Sequence, residues 1–140
     1  MSRESIVAEI ASQLKAMNTV KLGKVERDPI VPDELPKTAF PACYIETTDE
    51  DIEDVTLGVK STRRGIMLVN VVVIIGGKQR DTQRNLVVEA VENQLLKDRT
   101  VNNTATHIAL TGVESMQVGE SAPYASVRMV FTVTHHYKIS

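Results

Sequence analysis

At 140 residues the chain has the length of one ordinary domain and can close a single hydrophobic core. Apolar residues make up 42% and charged ones 24%, which favours packing over disorder. A net charge of -2 with 16 basic residues scattered along the chain, and 4% aromatics without tryptophan, argue against nucleic-acid binding, which needs a basic face and stacking platforms.

Cys43 is the single cysteine, so no intramolecular disulfide forms, and a reducing compartment such as the bacterial cytoplasm is expected. The first residues, MSRESIVAEIASQLKAM, carry charge within their apolar pattern and do not read as a signal peptide. The apolar run Ile66 to Ile75 is roughly half a membrane span and is broken by Asn70. A soluble protein used inside a cell is expected, with no membrane partner.

Residues 3–17 are predicted to form a helix, because Ile6, Val7, Ile10, Leu14 and Met17 make one apolar stripe. Ser2 suits the N-cap and Glu4 the first turn, where the helix dipole favours an anion; Asn18 and Gly23 bracket the end. Pro29, Pro32, Pro36 and Pro41 then exclude a helix or a central strand. A short strand is expected at 23–28, an extended segment after it, and a strand at 42–47. Cys43 and Ile45 would face one side of that strand, Tyr44 and Glu46 the other.

The next stretch, TTDEDIEDVTLGVKSTRRG, packs Asp49, Glu50, Asp51, Glu53 and Asp54 ahead of the alternating Val55, Leu57 and Val59, then Arg63 and Arg64. The alternation predicts a strand over 53–60, and STRRG a turn. The β-branched run IMLVNVVVIIGG predicts a central strand that is apolar on both faces. The two strands make a long hairpin with its tip near 61–64.

Gly76 and Gly77 end this strand. Asp81 is expected to cap a helix over 82–97, with Leu86, Val87, Val91 and Leu95 inward and Lys97 at its end. The polar loop DRTVNNTAT leads to a strand over 107–117 with Ile108 and Leu110 on one face; GESAP makes a turn. The last strand, 124–138, sets Ala125, Val127, Met129, Phe131 and Val133 against Ser126, Arg128, Val130, Thr132 and Thr134. The chain thus reads as α+β: a mostly antiparallel β-sheet with two α-helices packed on one face, order α-β-β-β-β-α-β-β, with a long protruding β-hairpin.

Motifs for chemistry are poor. Asp49, Asp51 and Glu53 fit the first positions of a calcium loop, but Asp54 stands where glycine is needed and Lys60 where glutamate is needed. GGKQR sits between strand and helix, yet Gln79 follows Lys78 and Val72 replaces the earlier glycine of a phosphate loop, so a plain turn is the better reading. His135 and His136 are adjacent on a strand and point to opposite faces. Cys43 on a strand reads as a small core residue rather than a nucleophile for a histidine. No enzyme activity, catalytic residue, cofactor or metal is expected.

A surface remains. Two helices on one side leave the second face of IMLVNVVVII bare, so a neighbouring molecule is expected to cover it. If Arg63 and Arg64 of one copy meet the acids of the next, the contact is head-to-tail, and a head-to-tail contact that closes makes a ring. Such charges set register more than affinity.

The order of RESIVAEIASQLKAM, VERDPIVPDELPKTAFPACYI, VVVIIGG, a second helix and VRMVFTVTHHY resembles the tail terminator family of long-tailed bacteriophages and related prophages. The resemblance covers nearly the whole chain. It implies an α+β subunit of a hexameric ring that sits on the last ring of the tail tube, stops its polymerisation and joins the capsid connector. DNA passes through the bore, and no catalytic residue or cofactor is involved. The implied location is the tail-neck region of a virion assembled in the bacterial cytoplasm. Asp33, Glu34, Leu35 and Pro36 would form an ordered segment before a strand, and the hairpin Ile52 to Ile75 would reach a neighbour or the tube. Val55, Leu57, Val59, Arg63 and Arg64 are the candidate contacts. Asp49, Glu50, Asp51, Glu53 and Asp54 would line the bore or face a partner. The alternatives are another head-tail neck or completion ring protein, and a small α+β regulatory module holding a ligand at GGKQR.

Overall fold

The first helix forms where its apolar stripe predicts. In the computed structural model, which describes residues 2–30, 34–58, 61–76, 80–116 and 124–139, α1 spans Arg3–Lys15. The Ser2 hydroxyl accepts from the Ser5 amide at 3.1 Å, and Glu4 lies in the first turn. Ile6, Val7, Ile10 and Leu14 are buried. Strands β1 (Lys24–Glu26), β2 (Ala42–Asp54) and β3 (Thr62–Gly76) follow, then α2 (Arg80–Leu96), β4 (His107–Met116) and β5 (Tyr124–Lys138).

These strands form one sheet in the order β1-β2-β3-β5-β4. β1 runs parallel to β2, and the other pairs are antiparallel. Both helices pack on one face. Their apolar stripes share a core with Cys43 and Ile45 of β2, Met67 to Ile75 at odd positions of β3, and Val127 to Val133 at odd positions of β5. The fold is therefore α+β, as its alternations predict.

Three details differ. Among the described residues there are five strands, not six: β2 continues through the acids to Asp54, and Arg63 and Arg64 lie inside β3. The reason is pairing. Glu53 sits opposite Arg64 and Asp54 opposite Arg63, so opposite charges extend the ladder where a turn was expected. Val55 to Gly58 belong to the connection at the tip. Asp81 lies within the first turn of α2 rather than at its cap, and Leu86 is 55% exposed. The buried stripe of α2 runs through Val87, Ala90, Val91 and Leu95, and Ala90 is too small to stand out in an apolar pattern.

The third difference concerns the second face of β3. Val72 and Ile74 are covered by the chain itself: Ile30, Leu35, Phe40 and Tyr124 pack over them together with Ala42 and Tyr44. The proline-punctuated segment thus roofs one end of the sheet. Gly23 lets it approach, since its amide donates to Pro41 O at 2.8 Å and a Cβ there would overlap the backbone of Ala39. Asp33, Val59, Lys60, Gly77, Lys78 and Gln79 of the strand-to-helix turn and the GESAP turn lie outside the described residues.

Candidate functional site: the arm and its root

Beyond the roofed end, β2, β3 and β5 run on together as a three-stranded arm. β5 pairs β3 as far as Thr62↔Lys138, so the expected hairpin is not a two-stranded projection. A register shift between Thr47 and Glu50 adds one residue to β2. This bulge reverses which side chains face the helices. Without it Asp49 would stand opposite Met67; with it Glu50 does. Glu50, Ile52 and Asp54 therefore share the helix face with Met67, Gly65 and Arg63. Asp51 and Glu53 share the opposite face with Ile66 and Arg64.

The charges pair within the hairpin. Arg63 Nε donates to Asp54 Oδ1 at 3.0 Å, and Arg64 forms an ion pair with Glu53. Acids and bases stand abreast, not at opposite ends of the arm. These side chains are 39–52% exposed, so solvent screening leaves the pairs worth little to stability. Asp49 and Asp51 are exposed. At the tip, Leu57 is 98%, Val55 53% and Ile52 48% exposed, an apolar apex next to the paired charges. Gly58, at φ 117, makes the turn where a side chain would be strained.

Glu50 behaves unlike the other acids. Its Oε1 accepts from Arg3 Nε at 2.6 Å, and its Oε2 from Arg3 Nη2 at 3.1 Å. Oε2 also lies 3.0 Å from Nε2 of His135, which is 1% exposed. A carboxylate only accepts, so this ring nitrogen carries the proton. Burial pushes the Glu50 carboxyl up, but the hydrogen bonds from Arg3 and His135 outweigh it and hold it below its usual range. The Arg3 guanidinium lies 4.9 Å from the centre of the Tyr137 ring, which stacks on His135 with centroids 5.4 Å apart. His136 faces the other way and meets the Thr106 hydroxyl at 2.8 Å.

Arg3, His135 and Tyr137 carry no sequence signal for this role. They lie far from Glu50 along the chain, and only the fold joins them. Burial pushes the Cys43 thiol up to about 12, which leaves it a core residue with negligible thiolate at neutral pH. Among the described residues no group of three His, Cys, Asp or Glu side chains is placed to hold a metal ion, and no helix is long and apolar enough to cross a membrane.

No family model matches the chain, and no curated protein matches it. Its fold is matched by solved structures. One of them is a chain described as "Virion of native gene transfer agent (GTA) particle", with a TM-score of 0.55 and 16% sequence identity over 93% of each chain. At that identity the likeness is one of fold.

Proposed function

We propose that the chain is a non-enzymatic structural subunit of a phage-like particle: a tail terminator that forms a hexameric ring on the tail tube. The observation that carries this reading is the fold shared over 93% of both chains with a component of a virion particle. The arm supports it. Leu57 and Val55 stand exposed at its tip beside the paired charges, where a partner of the same particle could cover them.

The mechanism is steric. One face of the ring copies the surface that a tube subunit offers, and the other does not, so growth stops there and the capsid connector docks instead. Val55, Leu57 and Val59 make the apolar part of the contact with a sister subunit or the tube. Arg63 and Arg64 exchange their weak pairs within the chain for acids of the neighbour and set register. Asp49, Asp51, Glu53 and Asp54 face the bore or a partner, where negative charge keeps passing DNA from adhering. Glu50 is already engaged at the arm's root. The ring belongs at the tail-neck region and is assembled in the bacterial cytoplasm.

The test is tube growth. Purified chain added to polymerising tail-tube protein should shorten the tubes and leave a ring at one end by electron microscopy. Tubes of unchanged length with bare ends would contradict the proposal. A module that holds a ligand at GGKQR would instead show a thermal shift with phosphate or nucleotides.

A further inference from the structure

We propose that Glu50 ties the arm and the first turns of α1 into a single mechanical unit, so that whatever engages the arm is felt in the helix layer. Three departures from a regular hairpin converge on this carboxylate. The bulge at Thr47–Glu50 turns it toward the helices. Gly65, on the strand between, opens the path: a Cβ there would collide with Glu50 Oε2 and His135 Nε2. His135 on β5 is buried, and its Nδ1 has no hydrogen-bond partner among the described residues. A sheet selected for stability alone would fill this space with apolar side chains, since buried polar clusters are seldom more stable than their hydrophobic replacements.

The cluster spans four elements. α1 contributes Arg3, while Glu4 turns away to pair with Arg27 at 2.8 Å. β2 contributes Glu50, β3 the gap at Gly65, and β5 His135 and Tyr137. Tyr137 extends the connection outward. Its hydroxyl accepts from Arg3 Nη2 at 3.3 Å, and Tyr137 stands directly opposite Arg63 in the ladder between β3 and β5. Arg63 on the arm is thus linked through Tyr137 and Arg3 to Glu50 and to the start of α1. With the Glu50 side chain only 13% exposed, the Arg3 pair is better shielded than the pairs at the tip. The consequence for assembly rests on the arm contact proposed above; the coupling itself does not.

Hydrogen-deuterium exchange on the full chain tests it. Glu50→Gln keeps the shape and removes the charge; Arg3→Ala cuts the same tie from an exposed side chain; Val113→Ala, at a 41% exposed position on β4 away from the arm's tip, is the control. The coupling predicts that Glu50→Gln and Arg3→Ala each raise exchange about tenfold both in α1 around Ile6–Ile10 and in the arm ladder around Ile52 and Arg64, as loss of a charge-assisted hydrogen bond would. Val113→Ala should leave both regions as in the wild type. If either tie-cutting variant loosens only one of the two regions, or neither, the unit does not exist. Coupling found in a chain that never forms rings would keep this inference and remove the ring; rings with no coupling would do the reverse.

Discussion

The two halves of β3 obey different rules. From Asn70 to Ile75 the strand is buried on both faces, by the helices on one and by Ile30, Leu35, Phe40 and Tyr124 on the other. From Thr62 to Leu68 it carries Arg63, Arg64 and Gly65, and at even positions it is half-exposed. The first half stabilises; each aliphatic side chain fully buried there contributes about 1.5–3 kcal/mol. The second half positions: its charges are paired but screened, and its glycine makes room for a polar junction. The chain finishes its own sheet at one end only, and the partner contact proposed above falls at the other.

Truncation should separate the halves most clearly. Ile75→Ala in the roofed half should cost about 2–5 kcal/mol in urea unfolding, while Leu57→Ala at the tip should stay within about 0.5 kcal/mol. Similar losses at both positions would erase the distinction. Gly65→Ala should cost about 1–3 kcal/mol, because the added carbon displaces Glu50 or His135. A neutral result would mean that the junction has slack.

Glu50 sharpens the comparison through pH. Its folded value lies below the ordinary 4.5, so the stability it adds is present above 4.5 and is lost as pH falls through the lower folded value. Wild type should exceed Glu50→Gln by about 1 kcal/mol at neutral pH, a figure reduced because Arg3 is half-exposed, and the gap should close in acid. A gap that widens in acid would reverse the assignment. Replacing Arg63 and Arg64 together with Glu sets like charges opposite Asp54 and Glu53, which should cost up to about 1 kcal/mol at each pair, and should change association most. Association of the wild type should weaken toward 1 M salt, where the screening length is about 3 Å. Rings and capping that survive the double reversal would dismiss the arm's basic pair as a contact.

Periodicity explains what was legible. α1 and β5 follow their stripes, and the sides taken by Cys43, Tyr44, Ile45 and Glu46 follow from alternation alone. The acidic run was visible as a charged surface, but its faces were not, because one extra residue between Thr47 and Glu50 inverts every position after it. The roof over Val72 and Ile74 was hidden for another reason. A proline-rich segment shows that it is extended, not what it lies against. The junction of Arg3, Glu50, Gly65, His135 and Tyr137 depends on contacts between residues up to 134 positions apart, as Arg3 and Tyr137 are, and no local pattern encodes them.

The most direct test of the whole account is the mass of the particle, by native mass spectrometry or light scattering, with and without tail tubes. A chain that is unfinished alone should appear as a closed ring of 15.4 kDa subunits, or as a monomer that becomes a ring when tubes are supplied. A species that stays at 15.4 kDa in both conditions would contradict it.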